Sequence, residues 1–234
     1  MKSPRKTFVI LSLALLASSA GIYAQGTFQN LDFESANIPN ATQPGSLVPV
    51  GMALPGWSVN VGSVSNGIVT IPYDSISLGG ALISVLDTNA GLGFVPLQGK
   101  YTAALFGGSS TAATIDQTGL VPIGSQSLQL AVYSVGAPFV VMLGGQTINM
   151  VPLSQVTRTG FPASYTIYGG DISSSLAGQM EQLSISELTP AGTPPSELFL
   201  DDIIFSPSMV PEPSTFGLFC IGGLLFGLYH RQAK

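Results

Sequence analysis

The chain contains one cysteine and one histidine, and both lie close to its C-terminus, at Cys220 and His230. The long middle of the sequence therefore has neither residue and no disulfide-forming pair. Their absence there excludes cysteine nucleophiles, Ser-His and Cys-His triads, and metal sites built from His or Cys. An enzymatic role for the middle region would have to rest on carboxylates, tyrosines and very few basic groups.

Positive charge is also scarce. Between residues 25 and 207 there are 11 acidic residues and only two basic ones, Lys100 and Arg158, a formal charge of −9. The other basic residues lie at the two ends of the chain: Lys2, Arg5, Lys6, Arg231 and Lys234. A surface of this sign repels phosphate backbones, so we expect no nucleic-acid partner.

The N-terminus carries the pattern of a secretory signal peptide. Three basic residues precede an apolar run over residues 8–17, and small residues follow it. A transmembrane helix is the alternative, but the run is short and no stop-transfer pattern follows. Cleavage after Ala20 or after Ala24 would leave a small residue next to the cut. We favour Ala24, which assigns residues 1–24 to the signal and makes Gln25 the mature start.

The C-terminus combines a short motif, an apolar run over residues 216–229 and a basic tail. As a helix the run would rise only about 21 Å, short of a hydrocarbon core of about 30 Å. Length alone leaves a plain membrane anchor and a buried core helix open. The motif residues are Val210, Pro211, Glu212, Pro213, Ser214 and Thr215, and the tail carries Arg231.

This order resembles the PEP-CTERM sorting signal of Gram-negative bacterial surface proteins, with residues 208–234 as the signal. The resemblance implies an exosortase as partner, which would cleave near Pro-Glu-Pro. It also implies transient insertion of a short transmembrane helix in the inner membrane, then a place at the cell surface or in the extracellular matrix. The tail has fewer basic residues than many such signals.

The region between the two signals, residues 25–207, predicts a single all-β domain, an antiparallel β-sandwich. Apolar and polar residues alternate with a period of two at 57–61, 128–132 and 182–186. Gly144-Gly145 predicts a tight hairpin between 139–143 and 146–150. Only 172–179 suggests a helical turn, with Asp171 as its cap. We expect further strands at 28–33, 67–71, 81–86, 101–106, 112–118, 164–168 and 198–205.

Both ends of this region resemble galactose-binding-like jelly rolls, a fold that includes many carbohydrate-binding modules. The similar stretches are Asn30 to Glu34, Leu54 to Trp57 and Leu198 to Ile203. The resemblance implies a jelly roll whose first and last strands pair, which would bring Glu34 near Asp201 or Asp202.

Strict alternation in the last strand would place Leu200, Asp202 and Ile204 on one face and Asp201, Ile203 and Phe205 on the other. The buried face would then carry one carboxylate, which needs a cation or hydrogen-bond donors. In similar jelly rolls the corresponding acids hold a structural calcium, so the resemblance implies a calcium site at Glu34, Asp201 and Asp202. The alternative is that these acids cap turns or accept hydrogen bonds from backbone amides.

Aromatic rings and scattered acids provide the remaining candidates. Trp57, the only tryptophan, fits either a sugar-stacking ring or a core residue, and we favour the core. Possible sugar platforms are Tyr73, Tyr101, Tyr133, Tyr165 and Tyr168. A glycosidase pair would have to come from acids such as Asp74, Asp87 and Asp116.

Three classes of function follow. The leading hypothesis is an exported, non-catalytic surface or matrix protein associated with extracellular polysaccharide in a biofilm. The alternatives are a specific carbohydrate-binding module and a polysaccharide-active enzyme. Several exposed aromatic rings on one face would favour the carbohydrate-binding module, whereas the lack of His and Cys argues against the enzyme.

Overall fold

The computed structural model describes residues 26–39, 42–62, 67–76, 80–108, 111–135, 138–188 and 196–211. The predicted signal peptide and the predicted apolar helix at 216–229 lie outside these residues. Within the described ranges no helix is long and apolar enough to span a lipid bilayer.

The described residues form thirteen strands and one short helix. The helix α1 is Val50–Ala53. The strands are β1 (Leu47–Pro49), β2 (Ser58–Val61), β3 (Thr70–Pro72), β4 (Leu82–Leu86), β5 (Thr102–Gly107), β6 (Ala113–Leu120), β7 (Ser127–Val135), β8 (Phe139–Leu143), β9 (Gln146–Ile148), β10 (Val151–Thr157), β11 (Ser164–Asp171), β12 (Met180–Glu187) and β13 (Ser196–Ser206).

Two antiparallel sheets form the sandwich. The six-stranded sheet has the order β10-β11-β7-β13-β5-β4, and the five-stranded sheet has the order β2-β6-β12-β8-β9. Strands β5 to β8 alternate between the two sheets, and β13 and β12 return to lie between β5 and β7 and between β6 and β8. This interleaving is the jelly-roll order, so the predicted all-β sandwich and its jelly-roll type are confirmed.

The main core lies between the two sheets. Leu105, Leu130 and Leu200 from the six-stranded sheet belong to the same buried cluster as Ile115 and Leu183 from the five-stranded sheet. All five side chains are fully buried, as the alternation of strands with one face toward a core requires.

A second apolar cluster covers the outer face of the six-stranded sheet. Its centre is Phe199 on β13, whose ring meets Phe94 edge-on at 5.4 Å and Phe106 at 6.1 Å between centroids. Phe94 and Leu97 come from the loop that connects β4 to β5. This loop therefore acts as a cover, and both faces of β13 are buried around Phe199.

Arg158 holds that loop in place. Its guanidinium donates hydrogen bonds to the carbonyls of Val95 (2.6 Å), Pro96 and Leu97 (3.2 Å). It also lies over the ring of Tyr165, 5.2 Å from the centroid. One of the two basic residues of the middle region is thus used to satisfy loop carbonyls, which suits the several fixed donors of a guanidinium.

The predicted hairpin is confirmed. Strands β8 and β9 pair antiparallel across Gly144 and Gly145, whose φ angles are +57° and +74°. Both values lie in the left-handed region, which glycine enters without steric cost. The strands predicted at 57–61, 81–86, 101–106, 112–118, 128–132, 164–168, 182–186 and 198–205 are also present with shifted ends, and 67–71 is reduced to the three residues of β3.

The strand predicted at 28–33 is wrong. Asn30 and Phe33 have φ angles of +50° and +58°, which no regular strand contains, and the segment is built of turns. A hydrogen bond from the Ile203 N–H to the Leu31 carbonyl (2.9 Å) joins this segment to β13 in place of a strand ladder. The expected pairing of first and last strands is therefore replaced by this hydrogen bond and by the stacked rings of Phe28 and Phe205, 5.1 Å between centroids.

The helical turn predicted at 172–179 is reduced to hydrogen-bonded turns at 174–178, and no helix forms there. Asp171 does not cap a helix. It ends β11, and its Oδ1 accepts a hydrogen bond from the Val210 N–H at 2.7 Å.

The last strand does not alternate as predicted, because a bulge interrupts its pairing with β7 between Asp201 and Ile204. Asp202, at the bulge, has a φ angle of +49°. Leu200 and Ile203 both join the main core, while Ile204 is half exposed. The bulge thus moves Asp202 and Ile204 off the face that simple alternation assigned to them.

Candidate functional site

The three acids proposed for calcium surround one short segment, residues 98–102. Asp201 Oδ2 accepts hydrogen bonds from the Gln98 N–H (3.0 Å) and the Thr102 hydroxyl (2.8 Å). Asp202 Oδ2 accepts one from the Gln98 side-chain amide at 2.8 Å. The middle of the last strand therefore holds this segment through two adjacent carboxylates.

Glu34, which precedes β1 in the chain, contacts the same segment. Its Oε1 accepts hydrogen bonds from the N–H groups of Lys100 (2.8 Å) and Tyr101 (3.0 Å). Gly99 packs so closely that a Cβ added there would lie 2.3 Å from the same oxygen. The predicted proximity of Glu34 to the last strand is thus mediated by residues 98–102, in agreement with the alternative that these acids accept backbone hydrogen bonds.

Burial raises the pKa of Asp201 to about 8, and the nearby charge of Glu34 acts in the same direction. The hydrogen bonds from Gln98, Thr102 and the Asp202 N–H oppose this rise because they stabilise the carboxylate. Burial also raises the pKa of Asp202, helped by the charge of Asp32. Negative charge is therefore costly here unless further positive charge is supplied.

The ligand chemistry at these acids suits calcium, which takes six to eight oxygen ligands, backbone carbonyls among them. The described residues contain no group of three or more His, Cys, Asp or Glu arranged to hold a metal ion. A calcium ion would thus have to combine carboxylate oxygens of Glu34 and Asp201 or Asp202 with backbone carbonyls, and it stays a proposal.

Asp74 and Asp87 come together in a second acidic cluster. Asp74 Oδ1 accepts the Asp87 N–H at 2.7 Å, and Asp87 Oδ2 accepts the Tyr73 hydroxyl at 2.5 Å. Both carboxyl groups are buried, and Asp74 Oδ2 has no hydrogen-bond partner among the described residues. Burial raises the pKa of Asp74, with the charge of Asp87 acting in the same direction.

Asp116 lies apart from this cluster, on β6 of the other sheet, where it accepts a hydrogen bond from Asn60 at 2.6 Å. The three acids considered for a glycosidase are therefore not one site. Asp74 and Asp87 are both less than a tenth exposed, so a polysaccharide could not contact them without a rearrangement of the fold.

Most of the aromatic candidates are core residues. Trp57 is buried, packs 5.7 Å from Phe33 between ring centroids, and donates its indole N–H to the Asn30 carbonyl at 3.0 Å. This agrees with the interpretation of Trp57 as a core residue. Of the five tyrosines considered as sugar platforms, three are also buried, namely Tyr73, Tyr101 and Tyr165.

Tyr133 and Tyr168 are the two that keep exposed surface. Tyr133 packs against Phe161 and Phe199 in the outer cluster. Tyr168 faces an open groove instead. Its ring meets Phe139 edge-on, 5.2 Å between centroids.

We call this depression the Tyr168 groove. It has a volume of about 370 Å³ and is walled by β8, the β9 to β10 connection and β11. A smaller depression of about 200 Å³ meets it at Tyr168 and adds hydroxyl and amide groups from β10 and β11. The described residues that line the Tyr168 groove are all uncharged: Pro138, Phe139, Val140, Thr147, Ile148, Asn149, Met150 and Tyr168.

The sequence named Tyr168 as one of five equivalent tyrosines, but it did not single out Phe139 or Asn149. Phe139 and Asn149 precede Tyr168 by 29 and 19 positions, and they line one groove with it because the β8–β9 hairpin and β11 come together in the fold. The pattern of alternation alone could not have found the groove.

The start of the predicted sorting motif is bound to the sandwich. We call residues 206–211 the tail segment. The Ser127 hydroxyl donates to the Ser208 carbonyl at 2.8 Å, and the Gln126 N–H donates to the Ser206 carbonyl at 2.8 Å. Val210 is partly buried between exposed neighbours. The folded part of the chain therefore continues as far as the first residues of the motif.

Residues 210–232 match the family model of the PEP-CTERM protein-sorting motif. This confirms the interpretation of the C-terminus made from its Pro-Glu-Pro motif, apolar run and basic tail. The match implies an exosortase-targeted surface protein that is exported and passes through a membrane-anchored stage. No curated protein matches the chain.

Some solved structures are similar to this fold at low sequence identity. TmCBM61, solved with β-1,4-galactotriose, is 13% identical over 76% of this chain and 95% of its own, with a TM-score of 0.38. The family 11 carbohydrate-binding module of Clostridium thermocellum Lic26A-Cel5E is 9% identical over 74% and 99%, with a TM-score of 0.33. The active domain of bacteriophage CBA120 tailspike protein 4 is 11% identical over 73% and 21%, with a TM-score of 0.37. At these TM-scores, ligand and activity have to be argued from this chain's own residues.

Proposed function

We propose that this chain is an exported protein of the cell surface or extracellular matrix whose jelly roll associates with extracellular polysaccharide without catalysing a reaction. The observation that carries the first half is the sorting motif at residues 210–232, whose first residue, Val210, is bound to the sandwich. An exosortase is the partner that this motif requires.

The Tyr168 groove supports the second half of the proposal. Its walls combine the aromatic faces or edges of Tyr168 and Phe139 with the polar side chains of Thr147 and Asn149. Neutral sugars present apolar ring faces flanked by hydroxyl groups, so they suit a surface that mixes aromatic carbon with amide and hydroxyl groups. The absence of charge from the described lining favours a neutral sugar segment.

A non-catalytic role is favoured by the positions of the acids. General acid and base catalysis needs groups within hydrogen-bond reach of the substrate. Asp74 and Asp87 are buried, and none of the residues lining the Tyr168 groove is an acid. An enzyme would therefore need a site formed by other residues.

Sorting can be tested by expressing the full chain in matched hosts with and without an exosortase. We expect loss of the segment that includes residues 216–234 only in the host that has the enzyme, measured by intact mass. A mature form that keeps this segment in both hosts would contradict the sorting role.

Polysaccharide association can be tested by binding assays on matrix polysaccharide and on a glycan array. We expect weak binding by the wild type, reduced several-fold in Tyr168→Ala and Asn149→Ala. Asn60→Ala is the matched control, because Asn60 lies on β2, at the opposite edge of the five-stranded sheet from β8 and β9, and it should bind as the wild type does. Equal binding by all variants would remove the groove from the proposal.

The same assays separate the alternatives. Tight, saturable binding to one glycan would favour a specific carbohydrate-binding module over a matrix protein. Release of reducing ends, lost when two of Asp74, Asp87 and Asp116 are changed to asparagine, would show that the chain is an enzyme.

We also propose a structural calcium ion at Glu34 and Asp201 or Asp202. It would supply the positive charge that the buried Asp201 carboxylate lacks, and it would fix the segment 98–102. At a hundred times its dissociation constant, calcium would raise the free energy of unfolding by about 2.7 kcal/mol. A melting temperature that is the same in chelator and in millimolar calcium would contradict the proposed calcium site.

A further inference from the structure

The sorting motif does not begin in a free linker, because its first residue is attached to the domain. The tail segment leaves β13 at Ser206, which pairs with Ser127 at the start of β7. Ser127 is flanked on its other side by Asp171 at the end of β11. The tail segment therefore passes the first residue of β7 and reaches β11 at Val210.

Two side chains hold the crossing. The Ser127 hydroxyl donates to the Ser208 carbonyl, and Asp171 Oδ1 accepts the Val210 N–H at 2.7 Å. The Val210 side chain also packs onto the backbone of β11, since a Cβ added at Gly169 would lie 3.1 Å from Val210 Cγ2. These contacts fix both the backbone and the side chain of the first motif residue.

The distance to the membrane makes this attachment important. From Pro211, the last described residue, to Phe216, the first residue of the apolar run, there are five peptide links. They span at most about 17 Å when fully extended. A membrane-embedded enzyme that acts near Pro-Glu-Pro must therefore work within a short stretch whose N-terminal side is bound to the sandwich.

We infer that Asp171 is a positioning residue for processing: by binding the Val210 N–H, it keeps the motif docked on β11 and slows cleavage by the exosortase. This inference rests on the proposed function. Cleavage breaks one peptide bond, whose acyl part passes to water or to another nucleophile while the new amine leaves with the apolar tail. The exosortase needs the chain on both sides of that bond, so the tail segment has to undock first.

When undocking and redocking are fast relative to cleavage, the rate of cleavage follows the population of the undocked form. Removing one solvent-exposed hydrogen bond of ordinary strength should raise that population roughly fivefold. Asp171 would therefore set how long the protein remains anchored before it is released.

The test is a pulse-chase measurement of precursor half-life for the full chain in a host that expresses an exosortase. We expect Asp171→Ala to shorten the half-life roughly fivefold. Asp171→Asn keeps an acceptor oxygen and should stay much closer to the wild type. Ser127→Ala, which removes the other contact, should shorten the half-life as well.

Asp116→Ala is the matched control, because it also removes an acid that accepts one hydrogen bond, but in the other sheet. It should leave the half-life unchanged. Hydrogen exchange of the full chain from a host without the enzyme should show a Val210 amide that is protected in the wild type and exchanges faster in Asp171→Ala. This measurement detects undocking even when a variant is expressed at a low level.

A half-life in Asp171→Ala equal to or longer than that of the wild type, with the wild type processed normally, would overturn the inference and leave the proposed function standing. Equal shortening in Asp116→Ala would also overturn it, because the effect would then be general destabilisation. A wild type that is never processed would overturn the proposed function and this inference together.

Discussion

Asp201 has no exposed surface, and this burial links the stability of the fold to pH. Its pKa is raised from 3.8 to about 8 in the folded state. Between these values the folded protein holds a proton that the unfolded chain has released. The free energy of unfolding therefore receives its full contribution from Asp201 below about pH 4 and loses it as the pH rises to about 8.

We predict that, in chelator, the wild-type sandwich melts at a lower temperature at pH 8 than at pH 5. A single group contributes at most about 1.4 kcal/mol per pH unit. Asp201→Asn should make the melting temperature depend less steeply on pH. Some dependence should remain, because the pKa of Asp74 is also raised. Thermal melts of both proteins across this range provide the measurement, and parallel curves would contradict the assignment.

Tyr73 offers a second test at the scale of single residues. Its hydroxyl is the donor to the buried Asp87 carboxylate. Tyr73→Phe should lower the free energy of unfolding by about 1 to 3 kcal/mol, because it leaves a buried acceptor without that donor. Tyr133→Phe is the control, because Tyr133 is a partly exposed residue, and it should change the free energy of unfolding much less. Denaturant unfolding of both variants measures the difference.

At the scale of elements, Gly170 on β11 allows one wall of the Tyr168 groove to approach the β11 backbone closely. A Cβ added at Gly170 would lie 2.8 Å from the Asn149 carbonyl and 2.4 Å from Ile148 Cγ2. The connection from β9 to β10 therefore rests directly on the β11 backbone. The wall of the groove that contains Asn149 depends on this close approach.

We predict that Gly170→Ala lowers the free energy of unfolding by about 1 to 3 kcal/mol, because a backbone carbonyl has to move. Gly51→Ala is the matched control, since Gly51 lies in α1 with open space around it and should be neutral or slightly stabilising. Denaturant unfolding compares the two. Loss of glycan binding in Gly170→Ala alone would show that the groove wall had shifted.

The elements that the sequence predicted well are those whose local pattern and tertiary position agree. Residues 182–186 alternate and form the middle of β12, and Gly144-Gly145 has the φ angles that its hairpin needs. Residues 28–33 were predicted as a strand, but Asn30 and Phe33 have positive φ angles. This segment packs against Trp57 and is hydrogen-bonded to β13, and no local pattern records such contacts.

Strand β10 was missed for the opposite reason. It contains Pro152, its pairing with β11 is irregular between Pro152 and Ser154, and it lies at the edge of the sheet. Edge strands tolerate proline and exposed polar residues, so their apolar pattern is weak. The candidate sites differ in the same way. Asp201 and Asp202 are neighbours in one strand, so the sequence could single them out, whereas the Tyr168 groove is formed by segments that are distant along the chain.

For the whole molecule, the contacts of the tail segment bear on where the domain ends. Ser208 and Val210 are bound to Ser127 and Asp171, beyond the boundary at Pro207 that the sequence suggested. A protein that ends at residue 207 would lack both contacts and the packing of Val210 on β11.

We predict that residues 25–211 melt at a higher temperature than residues 25–207, with a difference in free energy of unfolding of about 1 to 2 kcal/mol. Adding Asp171→Ala and Ser127→Ala to the longer protein should remove most of the difference. Calorimetry on the three proteins tests this, and equal melting of the two lengths would show that the tail segment adds nothing to the fold.

The way Arg158 is used has a consequence for survival outside the cell. Proteases of the trypsin type cut after lysine or arginine, and they need an accessible basic side chain. Within the region from residue 25 to 207 there are two such residues, and the Arg158 guanidinium is occupied by loop carbonyls. Only Lys100 remains, and its own N–H and that of Tyr101 are bound to Glu34. Between residues 25 and 207, such proteases therefore have a single basic side chain to use, on a stretch of backbone that Glu34 holds in place.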